Sequence, residues 1–131
     1  MSRKTVLDLR KMKADNEKIV MVTAYDYTMA RLVDAAGVDM VLVGDSLGMV
    51  VQGHDDTLPV TVDEVAYHCR CVSRGLKTAH LVADMPFMSY QMSAEQALET
   101  GAQMMQSGRA QSVKLEGGVR SQEAVRRLVE A

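Results

Sequence analysis

The chain has 131 residues, a length that fits one domain, and its 47% hydrophobic and 24% charged residues are enough to build a core. The net charge of −2 argues against nucleic acid or an anionic membrane surface as a partner, because both require a basic face. No apolar run approaches the roughly 20 residues that span a bilayer, and the N-terminal stretch lacks the apolar core of a signal peptide. We therefore expect a cytoplasmic protein that binds neither nucleic acid nor membrane.

The residue pattern predicts a short helix followed by four strand–helix units. Helical periodicity, stop signals and the capping residues Thr61, Ser93 and Ser121 predict helices at 5–16, 27–36, 61–74, 93–108 and 121–131. Apolar runs predict strands at 19–24, 40–43, 79–83 and 112–115. The segment 44–59 is rich in Gly and Asp, and we expect an irregular loop there.

This alternation predicts an α/β fold with a parallel sheet and right-handed crossovers. Two architectures fit it. One is a doubly wound sheet of about this length, as in a receiver-like regulatory module. The other is a (β/α)₈ barrel of about 250 residues, of which this chain would be half. Receiver modules carry their acidic pair after the first strand, whereas here acidic residues follow the second and third, so the order of the acids disfavours that alternative.

Charged side chains follow all four predicted strands. They are Asp26, Asp45, Asp84 and the pair Lys114 and Glu116. In a parallel sheet they would gather at the carboxyl edge, and carboxylates beside an ammonium suit a hard cation together with an anionic ligand. Each has a simpler explanation too, since the single aspartates can form turns or helix caps and the Lys–Glu pair can be a salt bridge.

A zinc site is disfavoured, because the histidines and cysteines are poorly placed for shared ligation. His54, His68 and His80 are scattered over a loop, a helix and a strand start, while Cys69 and Cys71 point about 200° apart on a helix. We expect the two cysteines to be buried or half-buried free thiols. Only His54, in the long loop, leaves a substrate role open.

Five segments together carry a family resemblance. They are TAYDY at 23–27, VLVGDSLGMVVQGHDDTLPVT at 41–61, AYHCR at 66–70, VADMPFMSY at 82–90 and VKLEGG at 113–118. In this order they resemble the ketopantoate hydroxymethyltransferase family. The resemblance implies a (β/α)₈ TIM barrel, so we expect a half-barrel made of a short N-terminal helix and about four βα units, forming one domain over residues 1–131 with the C-terminal half absent.

The implied reaction moves a hydroxymethyl group from 5,10-methylenetetrahydrofolate, a co-substrate, to the ketoacid 3-methyl-2-oxobutanoate. The product is ketopantoate, in pantothenate and coenzyme A biosynthesis. The family uses a Mg²⁺-stabilised enolate and is expected to be a homo-oligomer.

Carried over by position, the resemblance assigns two overlapping sets of residues. The ketoacid-binding set is Asp45, Ser46, Asp84 and Lys114. The Mg²⁺ set is Asp45, Asp84 and Glu116, and Asp26 becomes a helix cap.

The family's general base is a Glu on a later strand that this chain lacks, so no catalytic base is assigned and we expect the chain alone to be inactive. The alternative is a non-catalytic fragment or remnant that binds metal or self-associates through the open edges of the first and fourth strands.

Overall fold

A computed structural model describes residues 2–131, which form four strands and six α-helices. The strands are Met21–Thr23 (β1), Met40–Val43 (β2), His80–Asp84 (β3) and Ser112–Lys114 (β4). The helices are Val6–Ala14 (α1), Tyr27–Ala35 (α2), Leu47–Val50 (α3), Val62–Gly75 (α4), Ala94–Gln106 (α5) and Gln122–Glu130 (α6), and a 3₁₀ turn at Gly118–Ser121 precedes α6.

The four strands form one parallel sheet in the order β1-β2-β3-β4. This confirms the predicted α/β fold with a parallel sheet. The order increases without a reversal, whereas a doubly wound sheet reverses its strand order at a switch point. The receiver-like alternative is therefore wrong for this chain. The register also places Asp84 beside Lys114 across β3 and β4.

Polar caps begin four of the predicted helices, at Thr5, Asp26, Thr61 and Ser93. Thr5 and Thr61 each accept a hydrogen bond from the amide three residues on, and the acidic side chain there returns a bond to the capping residue. Asp26 accepts from the Met29 amide and begins α2, which confirms its interpretation as a cap. Each bond satisfies an amide that the first helical turn leaves without a partner.

Two predicted features are corrected by the structure. Ser121 does not cap α6, because its hydroxyl donates to the Glu116 carbonyl at 2.6 Å instead. The segment 44–59 is not wholly irregular, since Leu47–Val50 forms the single turn of α3. Ser93 does cap α5 by accepting from the Gln96 amide. The Gln96 side chain bonds to the backbone of Met88 and Met92, so it does not return a bond to the Ser93 amide as a full capping box would.

The core lies between the sheet and the helices α2 and α4. Strand β3 is buried along its whole length, and Val41, Leu81 and Val72 are among the side chains without solvent contact. Cys69 is buried and Cys71 half-buried, both as free thiols, as predicted. Burial raises the pKa of the Cys69 thiol to about 12, which keeps it uncharged at neutral pH.

The segment before α1, residues 2–5, forms an N-terminal arm that closes the amino end of the sheet. The Lys4 amide donates to the Thr78 carbonyl at 2.8 Å, and the Lys4 carbonyl lies within hydrogen-bond distance of the His80 ring and the Gln111 side chain. The second ring nitrogen of His80 is 2.7 Å from the Ser112 hydroxyl, so this buried histidine joins the arm to β4. Because the arm covers the amino end of the sheet, a ligand site would lie at the opposite, carboxyl edge. No helix in residues 2–131 has the length and apolar character needed to cross a bilayer.

Candidate functional site

A buried carboxylate, Asp84, is the centre of the carboxyl edge. It ends β3 with only 5% of its surface exposed. Its Oδ1 accepts a 2.6 Å hydrogen bond from Lys114 Nζ, and its Oδ2 accepts a 3.3 Å bond from the Asp45 amide. Burial raises the pKa of Asp84 in spite of the ammonium beside it, and the negative charge of Asp45 adds to the effect. The folded chain therefore holds an anion that one lysine does not fully stabilise.

Lys114 joins two carboxylates of unequal burial. Its ammonium also donates to Glu116 Oε1 at 2.9 Å, a contact typical of side chains two residues apart in an extended segment. Burial disfavours its charged form, but the bonds to Asp84 and Glu116 outweigh this and raise the pKa of Lys114. The bond to Lys114 lowers the pKa of Glu116, whose side chain is 72% exposed.

Asp45 and Ser46 follow β2 and reach the same edge because Gly44 precedes them. A Cβ at Gly44 would lie 2.9 Å from Ser46 Oγ, too close to be tolerated, and in ordinary contact at 3.6 Å with Asp84 Oδ2, so a larger residue would displace the Ser46 hydroxyl. Among the described residues, no donor forms a hydrogen bond to the Asp45 carboxylate. Asp45 therefore offers free oxygen atoms beside the buried Asp84.

These donors match the coordination that Mg²⁺ prefers. No group of three or more His, Cys, Asp or Glu side chains within residues 2–131 is arranged to hold a metal. Mg²⁺, however, commonly takes one or two protein carboxylates and fills its octahedron with water and substrate oxygens. Asp45 and Asp84 supply two such carboxylates, and a cation there would offset the cost of burying Asp84. Glu116 is turned to Lys114, so a direct or water-mediated metal contact by Glu116 stays a prediction.

Two hollows of the structure lie away from the carboxyl edge. A hollow of about 490 Å³ lies between the N-terminal arm and α1, and another of about 470 Å³ lies along α6. Neither is lined by Asp45, Ser46, Asp84 or Lys114. The assignment of a site to the carboxyl edge therefore rests on the chemistry of its side chains and not on these hollows.

Two tyrosines contact the predicted site residues and were not identified from the sequence. The Tyr25 hydroxyl lies 2.6 Å from Ser46 Oγ, and the Tyr90 hydroxyl accepts a 3.2 Å bond from the Glu116 amide. Tyr25 lies two residues after β1 and directly after the predicted strand 19–24, so its position at a strand end was a usable signal. Tyr90 follows a turn beyond β3, and nothing in the sequence indicated its contact.

The other candidate residues lie apart from this group. Asp26 is engaged as a helix cap. The His68 ring bonds to the Tyr25 carbonyl at 2.7 Å, which gives it a structural contact. The amide of His54 donates to the Gly48 carbonyl, and a substrate role for its ring stays a prediction.

Comparison with known proteins identifies relatives of the chain. Residues 3–131 match the family model described as ketopantoate hydroxymethyltransferase. The 3-methyl-2-oxobutanoate hydroxymethyltransferase of Syntrophotalea carbinolica is 59% identical over 128 residues, a match that covers 98% of this chain and 48% of the relative. The enzyme of the same name from Anaeromyxobacter sp. strain Fw109-5 is 56% identical and is covered to 44%, with 98% of this chain aligned. The chain thus spans about half the length of these relatives.

Solved structures with the same fold have much lower sequence identity. A 2,3-dimethylmalate lyase of the PEP mutase/isocitrate lyase superfamily aligns with a TM-score of 0.69 at 18% identity, over 95% of this chain and 48% of the other. An oxaloacetate acetylhydrolase bound to its product oxalate aligns with a TM-score of 0.65 at 14% identity, over 92% of this chain and 46% of the other. These likenesses support the fold, and the sequence matches establish that the chain belongs to the ketopantoate hydroxymethyltransferase family.

Proposed function

We propose that this chain carries the ketoacid- and Mg²⁺-binding part of a hydroxymethyltransferase site. The observation that carries the proposal is the buried Asp84, which contacts the Lys114 ammonium and the Asp45 amide at once. A buried carboxylate next to a second one is stable only where a cation or a proton is shared. Lys114 provides part of that compensation, and a bound Mg²⁺ would provide the rest.

We also propose that the sheet is half of a (β/α)₈ barrel. The strictly sequential parallel order of β1 to β4 supports this, because barrel strands follow one another around the ring. The relatives are about twice as long, which leaves room for four further strand–helix units. In such barrels the ligand lies at the carboxyl ends of the strands, where Asp45, Asp84 and Lys114 meet.

The proposed substrate, 3-methyl-2-oxobutanoate, has a carboxylate beside a keto oxygen. Asp45 and Asp84 would hold the metal through their carboxylates, and Ser46 would donate its hydroxyl and amide protons to the ketoacid carboxylate. When bound, Mg²⁺ supplies Lewis-acid polarisation of the keto group, which makes the C3 proton easier to remove. The Lys114 ammonium lies beside Asp84, where it neutralises negative charge that develops on the ketoacid as that proton leaves.

The proton acceptor is not assigned to residues 2–131. Glu116 is held by Lys114, which lowers its pKa and makes it a weak base. Asp84 also accepts from Lys114, and Asp45 is committed to the metal in this proposal. The base would therefore come from another part of the barrel, together with the surface that binds 5,10-methylenetetrahydrofolate, the one-carbon donor.

Titration calorimetry with 3-methyl-2-oxobutanoate tests this proposal. We expect binding in the presence of Mg²⁺, loss of binding in EDTA, and loss in Asp84→Asn, which keeps the side-chain shape and removes the charge. Asp55→Asn makes the same change at an exposed position of the loop and serves as the matched control. Binding that is equal with and without Mg²⁺, or unaffected by Asp84→Asn, would refute the proposal.

A second candidate is a non-catalytic unit that self-associates. The outer edges of β1 and β4 are unpaired within the described residues, and Met21 and Val20 at the β1 edge are about half exposed. Unpaired strand edges readily pair with another chain. A folded chain that associates and binds no ketoacid in the calorimetric test would favour this candidate.

A further inference from the structure

We infer that Tyr25 is a positioning residue that holds the Ser46 hydroxyl as a proton donor for the carboxylate of a 2-oxo acid. This inference rests on the proposed function and deepens it. The observation behind it is the 2.6 Å contact between the Tyr25 hydroxyl and Ser46 Oγ, which joins the residues after β1 and β2.

Ser46 does not use its hydroxyl in the way its position in the chain would suggest. It directly precedes α3, where a serine normally caps the helix by accepting a hydrogen bond from a backbone amide. Here its backbone is already helical, with φ −53° and ψ −15°, and the side chain makes no capping bond. Among the described residues the Tyr25 hydroxyl is its hydrogen-bond partner, so the hydroxyl is held for another purpose.

Tyr25 is itself held firmly. The preceding Ala24 is buried, and its amide donates to the Leu42 carbonyl of β2 at 3.2 Å. The Tyr25 carbonyl bonds to the His68 ring on α4 at 2.7 Å, and the following Asp26 caps α2. The Tyr25 ring is partly buried against the core, and a tyrosine has only two side-chain torsions, so few positions are open to its hydroxyl.

The direction of the proton follows from the chemistry of the two hydroxyls. A phenol is a stronger acid than an aliphatic alcohol and is therefore the better hydrogen-bond donor. Tyr25 donates to Ser46 Oγ, which leaves the single proton of Ser46 for a different acceptor. At the carboxyl edge that acceptor is the carboxylate of the bound acid. The hydrogen bond from Ser46 adds to the attraction that the metal and Lys114 exert on the acid. The arrangement favours 2-oxo acids over their amides, because a charged carboxylate oxygen accepts a stronger hydrogen bond than a neutral amide oxygen.

A double-mutant cycle tests the inference with Tyr25→Phe, Ser46→Ala and the double variant. Phenylalanine keeps the ring and removes only the hydroxyl. We expect Tyr25→Phe to weaken Mg²⁺-dependent binding of 3-methyl-2-oxobutanoate about 3- to 10-fold, the effect of one hydrogen bond. In the Ser46→Ala background the same change should have no further effect. Tyr27→Phe, at an exposed position, is the matched control and should bind as the unsubstituted chain does.

Two results would overturn the inference in this cycle. If Tyr25→Phe leaves the ketoacid affinity unchanged, Tyr25 does not position the Ser46 hydroxyl. If Tyr25→Phe weakens binding equally in the unsubstituted and the Ser46→Ala chains, Tyr25 contacts the acid directly. Circular dichroism on each variant confirms that the fold is retained.

A readout without ligand separates this inference from the proposed function. With ¹³Cζ-labelled tyrosine, the NMR signal that disappears in Tyr25→Phe identifies Tyr25. Ser46→Ala should shift that signal and leave those of Tyr27 and Tyr67 in place. If the chain binds the ketoacid but the Tyr25 signal does not move in Ser46→Ala, the inference is refuted and the proposed function is not. A shifted Tyr25 signal in a chain that binds no ketoacid would refute the proposed function, and with it the role of the contact in binding.

Discussion

Replacing Lys114 with methionine should destabilise the chain because it leaves Asp84 buried without its ammonium. Methionine keeps the unbranched apolar stem of lysine and removes the ammonium group. The lost contact is a charged hydrogen bond of 2.6 Å to a carboxylate that is 5% exposed. Such bonds contribute roughly 1.5–3 kcal/mol. The Lys114 side chain is 33% exposed, so water screens part of the interaction, and we expect a loss of about 1.5–2 kcal/mol.

The pH dependence of this loss is a sharper test than its size. Burial raises the pKa of Asp84 above its ordinary 3.8, so the folded chain binds the proton more tightly than the unfolded chain. The free energy of unfolding therefore falls as the pH rises from about 3.8 through the folded pKa. Removing Lys114 raises that pKa further. The cost of Lys114→Met should be largest at neutral pH and should shrink in acid, as Asp84 takes up a proton in the folded variant.

Urea unfolding followed by circular dichroism in EDTA measures this cost across a series of pH values from neutral to acidic. Lys11→Met is the matched control, because Lys11 forms an exposed pair with Asp15 on α1 and its loss should leave the unfolding free energy almost unchanged. An unchanged free energy in Lys114→Met at neutral pH, or a loss that does not diminish in acid, would refute the account of Asp84 as an under-compensated buried anion.

Two further predictions concern the site and the sheet edges. Gly44→Ala should turn the Ser46 hydroxyl away from Tyr25, because the new Cβ would lie 2.9 Å from Ser46 Oγ. We expect the affinity for the ketoacid to fall about 3- to 10-fold with little change in the melting temperature. An affinity equal to that of the unsubstituted chain would contradict this prediction. The chain should also self-associate through the unpaired edges of β1 and β4, as seen by a sedimentation coefficient that rises with concentration. A single monomeric species over the whole concentration range would contradict that expectation.

The strands and the centre of the site could be predicted from the sequence because both depend on a simple pattern. Each apolar run ends at a charged or polar group, and parallel strands bring those ends to one edge. Asp84 and Lys114 do pair across β3 and β4, as this logic requires. The assignment of Asp26 as a cap, in contrast, followed from the family resemblance and was confirmed by its bond to the Met29 amide.

The missed features depend on three-dimensional detail that a pattern does not carry. Helix α3 has only four residues, too few to show a helical period. Ser121 lost its expected capping role because Gly117 and Gly118 both adopt positive φ, which turns the chain so that the serine hydroxyl reaches back to the Glu116 carbonyl. The Tyr25–Ser46 contact depends on the register of β1 against β2 and on two rotamers, and neither is written in the spacing of the residues.

Paramagnetic NMR with Mn²⁺ in place of Mg²⁺ tests most directly whether the carboxyl edge binds metal and ketoacid together. Mn²⁺ also prefers carboxylate and water ligands, and it broadens the signals of nearby nuclei. We predict that the amide signals of Gly44, Asp45 and Met85 broaden first, and that the methyl signals of 3-methyl-2-oxobutanoate broaden only when both the chain and Mn²⁺ are present. Asp84→Asn should abolish both effects. Broadening centred elsewhere, for example at the exposed Asp55 and Asp56, or ketoacid methyl signals unaffected by the chain, would contradict the proposed site.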